Sequence, residues 1–541
     1  MHRTIASISD SLPEAWRRAF ARDLAEPADH ADPGPERRAG RMLAAFIATG
    51  LVFLALPGTL LGVWNLMSIS EHHSAVAPAT AWIQAHGQAQ LFGWVGTFIL
   101  GISLYVLPKF RGRSLRRFGR AWAVWALWTI GVGWHWLGVV YVWHWREALI
   151  GSAVLEVAAY AMTLRVLFAP GRAGRRGAKS VPEDLGSWLG IFGFFGLGLA
   201  LAANLVLSLQ VAFKGASPAY PVVGDRVFLL LALWAFVAPM AWGYSTRFVT
   251  VFLGLEQPAR RAAPWLGVGI LAIVALALTR WFLAVDLVAI VMTACAIWAL
   301  RVFHRSVRPA KRAGVYSHYT AFVRLSYVWL AIAAILGLAA DLVPAMPGLG
   351  GASRHAMTVG FVALLIFSIG PRLLPSFLNG RELSSPRLMA ASLWLLTLGC
   401  ALRVSTESMA YSAVGGLAWK LLPVSAFIEL SAVLLFALNL ALTLAHPMPV
   451  WFVESSVRAD LPLYFYVTSF PRTRPLLVRA GLKTLGENRR VPHSLTLEEA
   501  ARSDGVDVEV LLDVLRRFFA ARKPRRLDRP PLEEDSLSES C

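Results

Sequence analysis

Apolar stretches of about twenty residues, separated by short polar or basic segments, recur from Met42 to His446. A helix needs about 20 apolar residues to cross a bilayer core, so the pattern predicts membrane-spanning helices. Twelve are expected, near 42–64, 84–108, 121–143, 148–168, 187–212, 227–250, 264–283, 284–303, 320–342, 356–376, 388–404 and 423–445. The least marked boundary lies between the seventh and eighth, where only Arg280 to Asp286 intervene. Beyond Pro447 the pattern changes, and residues 458–520 read as a small soluble helical domain. There Thr496 is followed three residues later by Glu499, a helix-start signature. After a turn at Asp504-Gly505, Val508 to Phe519 carries apolar residues at helical spacing. Residues 521–541, rich in proline and blocks of opposite charge, read as a disordered tail. The expected class is an all-α membrane protein: a segment 1–41, a twelve-helix domain 42–446 and the small C-terminal helical domain.

One motif occurs twice. His86-Gly87-Gln88-Ala89-Gln90-Leu91-Phe92-Gly93 leads through an apolar run to Leu107-Pro108, and Arg354-His355-Ala356-Met357-Thr358-Val359-Gly360 leads to Leu374-Pro375. Glycine and proline are fifteen residues apart in both, and a histidine precedes the proline by 22 and 20 residues. The copies lie on spans two and ten, eight helices apart, so the repeat unit divides eight. Thr163-Leu164-Arg165-Val166-Leu167-Phe168 on span four and Ala299-Leu300-Arg301-Val302-Phe303-His304 on span eight echo each other, with a weaker echo at Ala437-Leu438-Asn439-Leu440. Three four-helix repeats are therefore expected, rather than the six-plus-six halves of many transporters.

Charge then orients the chain. Hydrophobic residues make up 56% and charged residues 16%, with mean hydropathy +0.55. The net charge of +19 invites a nucleic-acid reading, but the basic residues sit on alternate loops, as the positive-inside rule requires. They cluster at Arg17 to Arg41, Lys109 to Arg120, Arg172 to Lys179, Arg260-Arg261, Arg305 to Arg312, and Arg381 with Arg387. No nucleic-acid partner is expected; the lipid bilayer is the partner, with both termini cytoplasmic. Three cysteines, Cys295, Cys400 and Cys541, show neither disulfide nor zinc spacing, and no apolar leader segment opens the chain.

On this topology the even-numbered spans run from outside to inside, which places His86 and His355 toward the outer side. Twenty to 22 helical residues cover roughly 30–33 Å. Two imidazoles at matching depth suit the axial positions of a b-type haem, with Arg354 and Arg403 near its propionates and Gly87, Gly93 and Gly360 admitting a flat macrocycle. The alternative is a pair of interfacial histidines held by hydrogen bonds. His135, in Trp134-His135-Trp136, is a third ligand, a pocket residue or an interface residue. His72 and His73, adjacent in the first outer loop, are copper candidates or exposed bystanders. Glu156 and Glu429 occupy nearly equivalent places on spans four and twelve, as proton relays or as charges pairing helices.

The segments His86 to Arg113 and His355 to Arg381 resemble the NnrS family of twelve-span bacterial proteins. The matching residues are His86, Leu91-Phe92-Gly93, Pro108 and Gly112-Arg113, then His355 to Gly360, Arg372 and Gly380-Arg381. The resemblance implies a bacterial inner-membrane protein, haem and copper, and a role in nitric-oxide stress and denitrification. The family commonly carries a histidine two positions after the first, then Glu-Met; here Gln88, Ala89 and Gln90 stand there, which counts against copper. The helix plan is also similar to the core subunit of haem–copper oxidases and nitric-oxide reductases, whose spans two and ten ligate a low-spin haem. That family's histidines on spans six and seven have no counterpart here, so dioxygen reduction at a copper–haem centre is not expected. The tail resembles a small helical domain of unknown function found in proteins linked to iron-cluster and nitrosative-stress repair. It matches at Phe470-Pro471, Gly481-Leu482, Pro492, Thr496 to Ala501, Gly505-Val506-Asp507 and Leu511-Leu512. Relatives often have cysteines after the Gly-Leu; Lys483-Thr484-Leu485-Gly486 stands here, which points to contact with a protein partner. Two rival functions stay open: a cofactor-free secondary transporter using Glu156 and Glu429, and a membrane scaffold acting through residues 458–520.

Overall fold

In lipid every backbone N–H and C=O must be satisfied within the protein, so an apolar chain of this kind resolves into helices. The computed structural model describes residues 35–110, 115, 118–168, 184–312, 314–377, 383–411, 416–445, 457–461, 463, 466–467, 473–486 and 495–520. Among the described residues there is no β-strand, and twelve helices are long and apolar enough to cross a membrane. We number them α1 (Arg38–His72), α2 (Thr80–Pro108), α3 (Phe118–Tyr141), α4 (Trp145–Phe168), α5 (Leu185–Lys214) and α6 (Val222–Leu253). The rest are α7 (Arg260–Leu278), α8 (Phe282–Leu300), α9 (Tyr319–Leu342), α10 (Gly348–Pro375), α11 (Pro386–Ala410) and α12 (Gly416–Ala445). The chain is a multi-pass membrane protein. The faint boundary between the seventh and eighth spans is real: Arg280, at φ +64°, turns the chain between Leu278 and Phe282. The first helix already runs from Pro35, inside the segment read as preceding the bundle. Gly112-Arg113, Gly380-Arg381, Phe470-Pro471, Pro492, Arg172 to Lys179, residues 1–34 and the tail 521–541 lie outside the described residues.

Consecutive helices pack against one another, and α12 returns to α1, where Trp419 stacks on His73 with ring centroids 5.1 Å apart. Three helices sit inside this ring. In α2, α6 and α10 the apolar windows are 83%, 72% and 78% buried, against 33–50% in the other nine. An inner helix thus recurs at every fourth position. Each of the three also carries a π-helical segment, at Ala89–Gly96, Leu231–Val237 and Ala356–Ala363. A fourth, Leu54–Leu60, surrounds Pro57 in α1. Such wide turns displace carbonyls from the helical ladder, and side chains take them up. Thr59 donates to Leu54 O at 2.8 Å, and Trp128 Nε1 donates to Phe92 O at 3.1 Å.

Side chains of α2 and α10 meet at two levels. Trp94 meets Phe367 edge-on at 6.3 Å, and the Tyr105 hydroxyl donates to Phe377 O at 2.7 Å. Phe367 stacks in turn on Phe436 of α12 at 3.8 Å.

Residues 448–541 belong to a separate compact unit from Pro33–Pro447. Its described part holds α13 (Thr473–Arg479), α14 (Leu497–Asp504) and α15 (Val508–Ala520). Leu477, Leu482, Leu485, Leu497, Leu511 and Leu515 form its core around Tyr466. The capping box expected from sequence is formed: Glu499 N donates to Thr496 Oγ1 at 3.1 Å and Thr496 N to Glu499 Oε2 at 2.9 Å. Gly505 ends α14 at φ +71°, where a side chain would be strained.

Candidate functional site

His86 stands in the first turns of α2, just before its π-helical segment. Its Nδ1 lies 2.8 Å from Gly58 O of α1. A carbonyl only accepts, so Nδ1 carries the proton and Nε2 keeps its lone pair. The ring rests on Gly62, where a Cβ would come within 2.6 Å of Cε1. The close approach of α1 and α2 at this level therefore requires glycine.

His355 occupies the corresponding place on α10, the residue before the π-helical segment. Its Nδ1 is 3.0 Å from Gly351 O and 3.1 Å from Glu407 Oε2 of α11. Both neighbours are acceptors, so here too the proton is on Nδ1 and Nε2 is the free nitrogen. Arg403 Nη2, one helical turn away, forms an ion pair with the same oxygen of Glu407 at 3.4 Å. Its carboxylate lies against Gly351, where a Cβ would be 2.0 Å from Oε1, and its backbone oxygen would be 2.1 Å from a Cβ at Gly348. Two glycines of α10 thus make the notch that admits Glu407.

These residues form one cluster. His86 is within charge-interaction reach of His355 and Arg403, and Glu429 within reach of His355, Arg403 and Glu407. Arg403 is 7% exposed, and among the described residues its Nη1 has no hydrogen-bond partner; neither has Glu429 Oε1. Arg354, exposed at the end of the bundle, adds positive charge within reach of Glu407.

The expected site residues separate into two groups. His86, His355, Arg354, Arg403 and Glu429 come together. His135 and Glu156 stand elsewhere: His135 packs against Tyr220 with ring centroids 6.2 Å apart, and Glu156 bonds Asn204 and Gln88. The two carboxylates nonetheless occupy matching niches. Glu156 packs on Gly131 of α3 and Glu429 on Gly399 of α11. Four residues after those glycines come His135 and Arg403, so the same niche carries an imidazole in one case and a guanidinium in the other. His72 Nδ1 bonds its own helix at Ser68 O, 2.9 Å away, and His73 stacks on Trp419. Among the described residues no group of three or more His, Cys, Asp or Glu side chains is placed to hold a metal ion.

Sequence reading missed Glu407. It lies near the end of a span, where a carboxylate looks like a loop residue. Its spacing of four from Arg403 was the available signal. Gln88 and Gln90, which depart from the family pattern, have other partners. Gln88 Nε2 points to Glu156 at 3.5 Å, and Gln90 Nε2 donates to Thr59 Oγ1 at 3.1 Å.

A bis-imidazole haem makes definite demands: two unprotonated ring nitrogens, fixed tautomers, cationic donors for propionates and a close backbone approach. Both Nδ1 atoms are engaged by acceptors, Arg403 Nη1 is an orphaned buried donor, and Gly62 lies against the His86 ring, so the residues present fit the group.

A family model described as NnrS protein matches residues 42–448. A search of curated proteins finds no match. Among solved structures, the fold is similar to a cryo-EM structure of a heme-copper terminal oxidase dimer, with a TM-score of 0.58 at 14% sequence identity over 75% of this chain and 85% of that one. At that identity the likeness is one of fold.

Proposed function

The chain belongs to the NnrS family, and from that premise we propose that it is a membrane haem protein of the nitrosative-stress response. On this reading a b-type haem is held between His86 and His355, near the periplasmic face of a bacterial inner membrane, with both termini cytoplasmic. The observation that carries the proposal is the arrangement of the two imidazoles. Each has its Nδ1 fixed by an acceptor, Gly58 O for His86 and Gly351 O with Glu407 for His355. Such partners set the tautomer and aim Nε2 at a metal.

When bound, the haem supplies an iron that takes up nitric oxide or passes single electrons. The protein's part is to bind and orient. Glu407 holds the His355 ring and raises its basicity. Gly58 O does the same for His86 more weakly, being a neutral acceptor. Arg403 Nη1 offers a buried cationic donor to a propionate. Gly62, Gly348 and Gly351 let α1, α2, α10 and α11 close around the site. Copper is not part of the proposal, because Gln88 and Gln90 stand at the family's additional positions and have other partners.

The test is the visible absorption spectrum of the detergent-purified protein from haem-replete cells. A Soret band is expected, lost or strongly shifted in His86→Ala and in His355→Ala. A colourless wild type, or a band unchanged in both variants, refutes the reading and favours a transporter or a scaffold.

A further inference from the structure

Glu156 lies in the middle of α4, about 16 Å along the axis from the helix start at Trp145. It is fully buried. Two neutral amides approach it: Asn204 Nδ2 donates to Oε2 at 3.0 Å, and Gln88 Nε2 faces Oε1 at 3.5 Å. From Asn204 the contacts lead to one end of the bundle. The Tyr220 hydroxyl donates to Asn204 Oδ1 at 2.8 Å and lies 2.8 Å from Ser208 Oγ. Tyr220 belongs to the loop between α5 and α6, and Gln84 clamps its backbone through both N–H and C=O, at 2.7 and 3.1 Å. Burial pushes the Tyr220 phenol well above its ordinary range, so it keeps its proton and serves as a donor. His135 completes the group. It is 3% exposed, its Nδ1 has no partner among the described residues, and its ring meets that of Tyr220. It stands one turn from Gly131, the notch into which Glu156 packs.

Three other carboxylates of this bundle are in ion-pair contact with arginines. Asp286 and Asp341 share Arg226, at 3.6 and 2.6 Å, and Glu407 has Arg403. Glu156 has neutral donors only. An intramembrane carboxylate is costly to keep without a counter-charge, and glutamine would tie these helices together without that cost. The carboxyl is thus more than a staple. Nor is this a cation site, because the amides turn N–H groups toward it. The titratable groups around it are His135 from α3 and Tyr220 from the loop, with Asp225 of α6 beyond Tyr220; α2 and α5 contribute amides and Ser208.

We propose that Glu156 and His135 form a proton-exchange site inside the membrane, reached from the loop between α5 and α6 by way of Tyr220. The proton leaves the Glu156 carboxyl O–H, whose bonding pair stays on the carboxylate, and an intervening water relays a proton to the lone pair of His135 Nδ1, which has no protein partner within hydrogen-bond distance among the described residues. His135 lies nearer the loop and hands the proton on toward the surface. Asn204 orients the carboxyl and carries no proton itself. The site requires no electron donor and no cofactor, so it stands whether or not haem binds.

Infrared spectroscopy of the full-length protein, transferred from H2O to D2O, tests this. A protonated-carboxyl C=O band is expected to shift in D2O, to be absent from Glu156→Gln and to remain in Glu429→Gln. Tyr220→Phe and His135→Gln leave the carboxyl in place and carry the test should Glu156→Gln misfold. Each is expected to slow the shift about tenfold, the scale of one lost hydrogen bond. A Glu156 band that does not exchange while the loop amides do overturns the proposal, as does an exchange rate unchanged in both variants.

Discussion

Replacing Glu407 probes the candidate haem site without touching a ligand. The carboxylate lies 3.1 Å from His355 Nδ1 and 3.4 Å from Arg403 Nη2 in ion-pair contact, and its side chain is 14% exposed. Glu407→Gln keeps the shape and loses the charge. Removing an outer partner of a metal-bound histidine typically weakens metal affinity by about 10–100-fold, and that loss of haem affinity is expected here. Glu407→Ala is worse, because it strands the Arg403 guanidinium, whose Nη1 is already unpartnered. Leaving one partner of a buried ion pair alone costs about 3–5 kcal/mol, which thermal unfolding in detergent can read. Removing both charges, as in Glu407→Gln with Arg403→Met, is expected to recover much of that stability, since replacing both partners is far cheaper than removing one. The assay is titration of haem into stripped protein, followed at the Soret band, in parallel with unfolding. Haem affinity within about twofold of wild type in Glu407→Gln, against the 10–100-fold expected, refutes the role given to this carboxylate. Additive stability losses in the double variant refute the pairing with Arg403.

The glycine notch gives two graded predictions. Gly348→Ala brings a Cβ to 2.1 Å from the backbone oxygen of Glu407, which cannot swing away, so a loss of about 1–3 kcal/mol is expected in detergent unfolding. Gly351→Ala meets the movable end of the Glu407 side chain instead; it is expected to unfold closer to wild type while binding haem more weakly. Arg226 is shared by Asp286 and Asp341, so Arg226→Met is expected to destabilise the bundle more than Asp341→Asn, by comparison of midpoints. In the C-terminal unit, Thr496→Ala removes one half of the capping box and is expected to cost about 1 kcal/mol in urea unfolding followed by circular dichroism.

The sequence by itself determined the number and order of the spans. In a bilayer each helix must satisfy its own backbone and present apolar side chains to lipid, so hydropathy is read segment by segment. It also singled out His86 and His355, because the same spacing of histidine, glycine and proline occurs nearly unchanged on two spans, and the Thr496 cap, because a capping box is local chemistry. What only the tertiary structure decided is which polar groups share a pocket. Nothing along the chain ties His355 to Glu407 on the next helix, or Glu156 to a tyrosine sixty-four positions later. Glu156 and Glu429 looked alike in sequence and occupy like niches, yet one lies among amides and the other beside Arg403 and His355. Position along a helix fixes depth. Rotation about its axis and the choice of neighbours fix chemistry, and those come from side-chain packing between helices, here at glycines whose missing Cβ lets a carboxylate reach across.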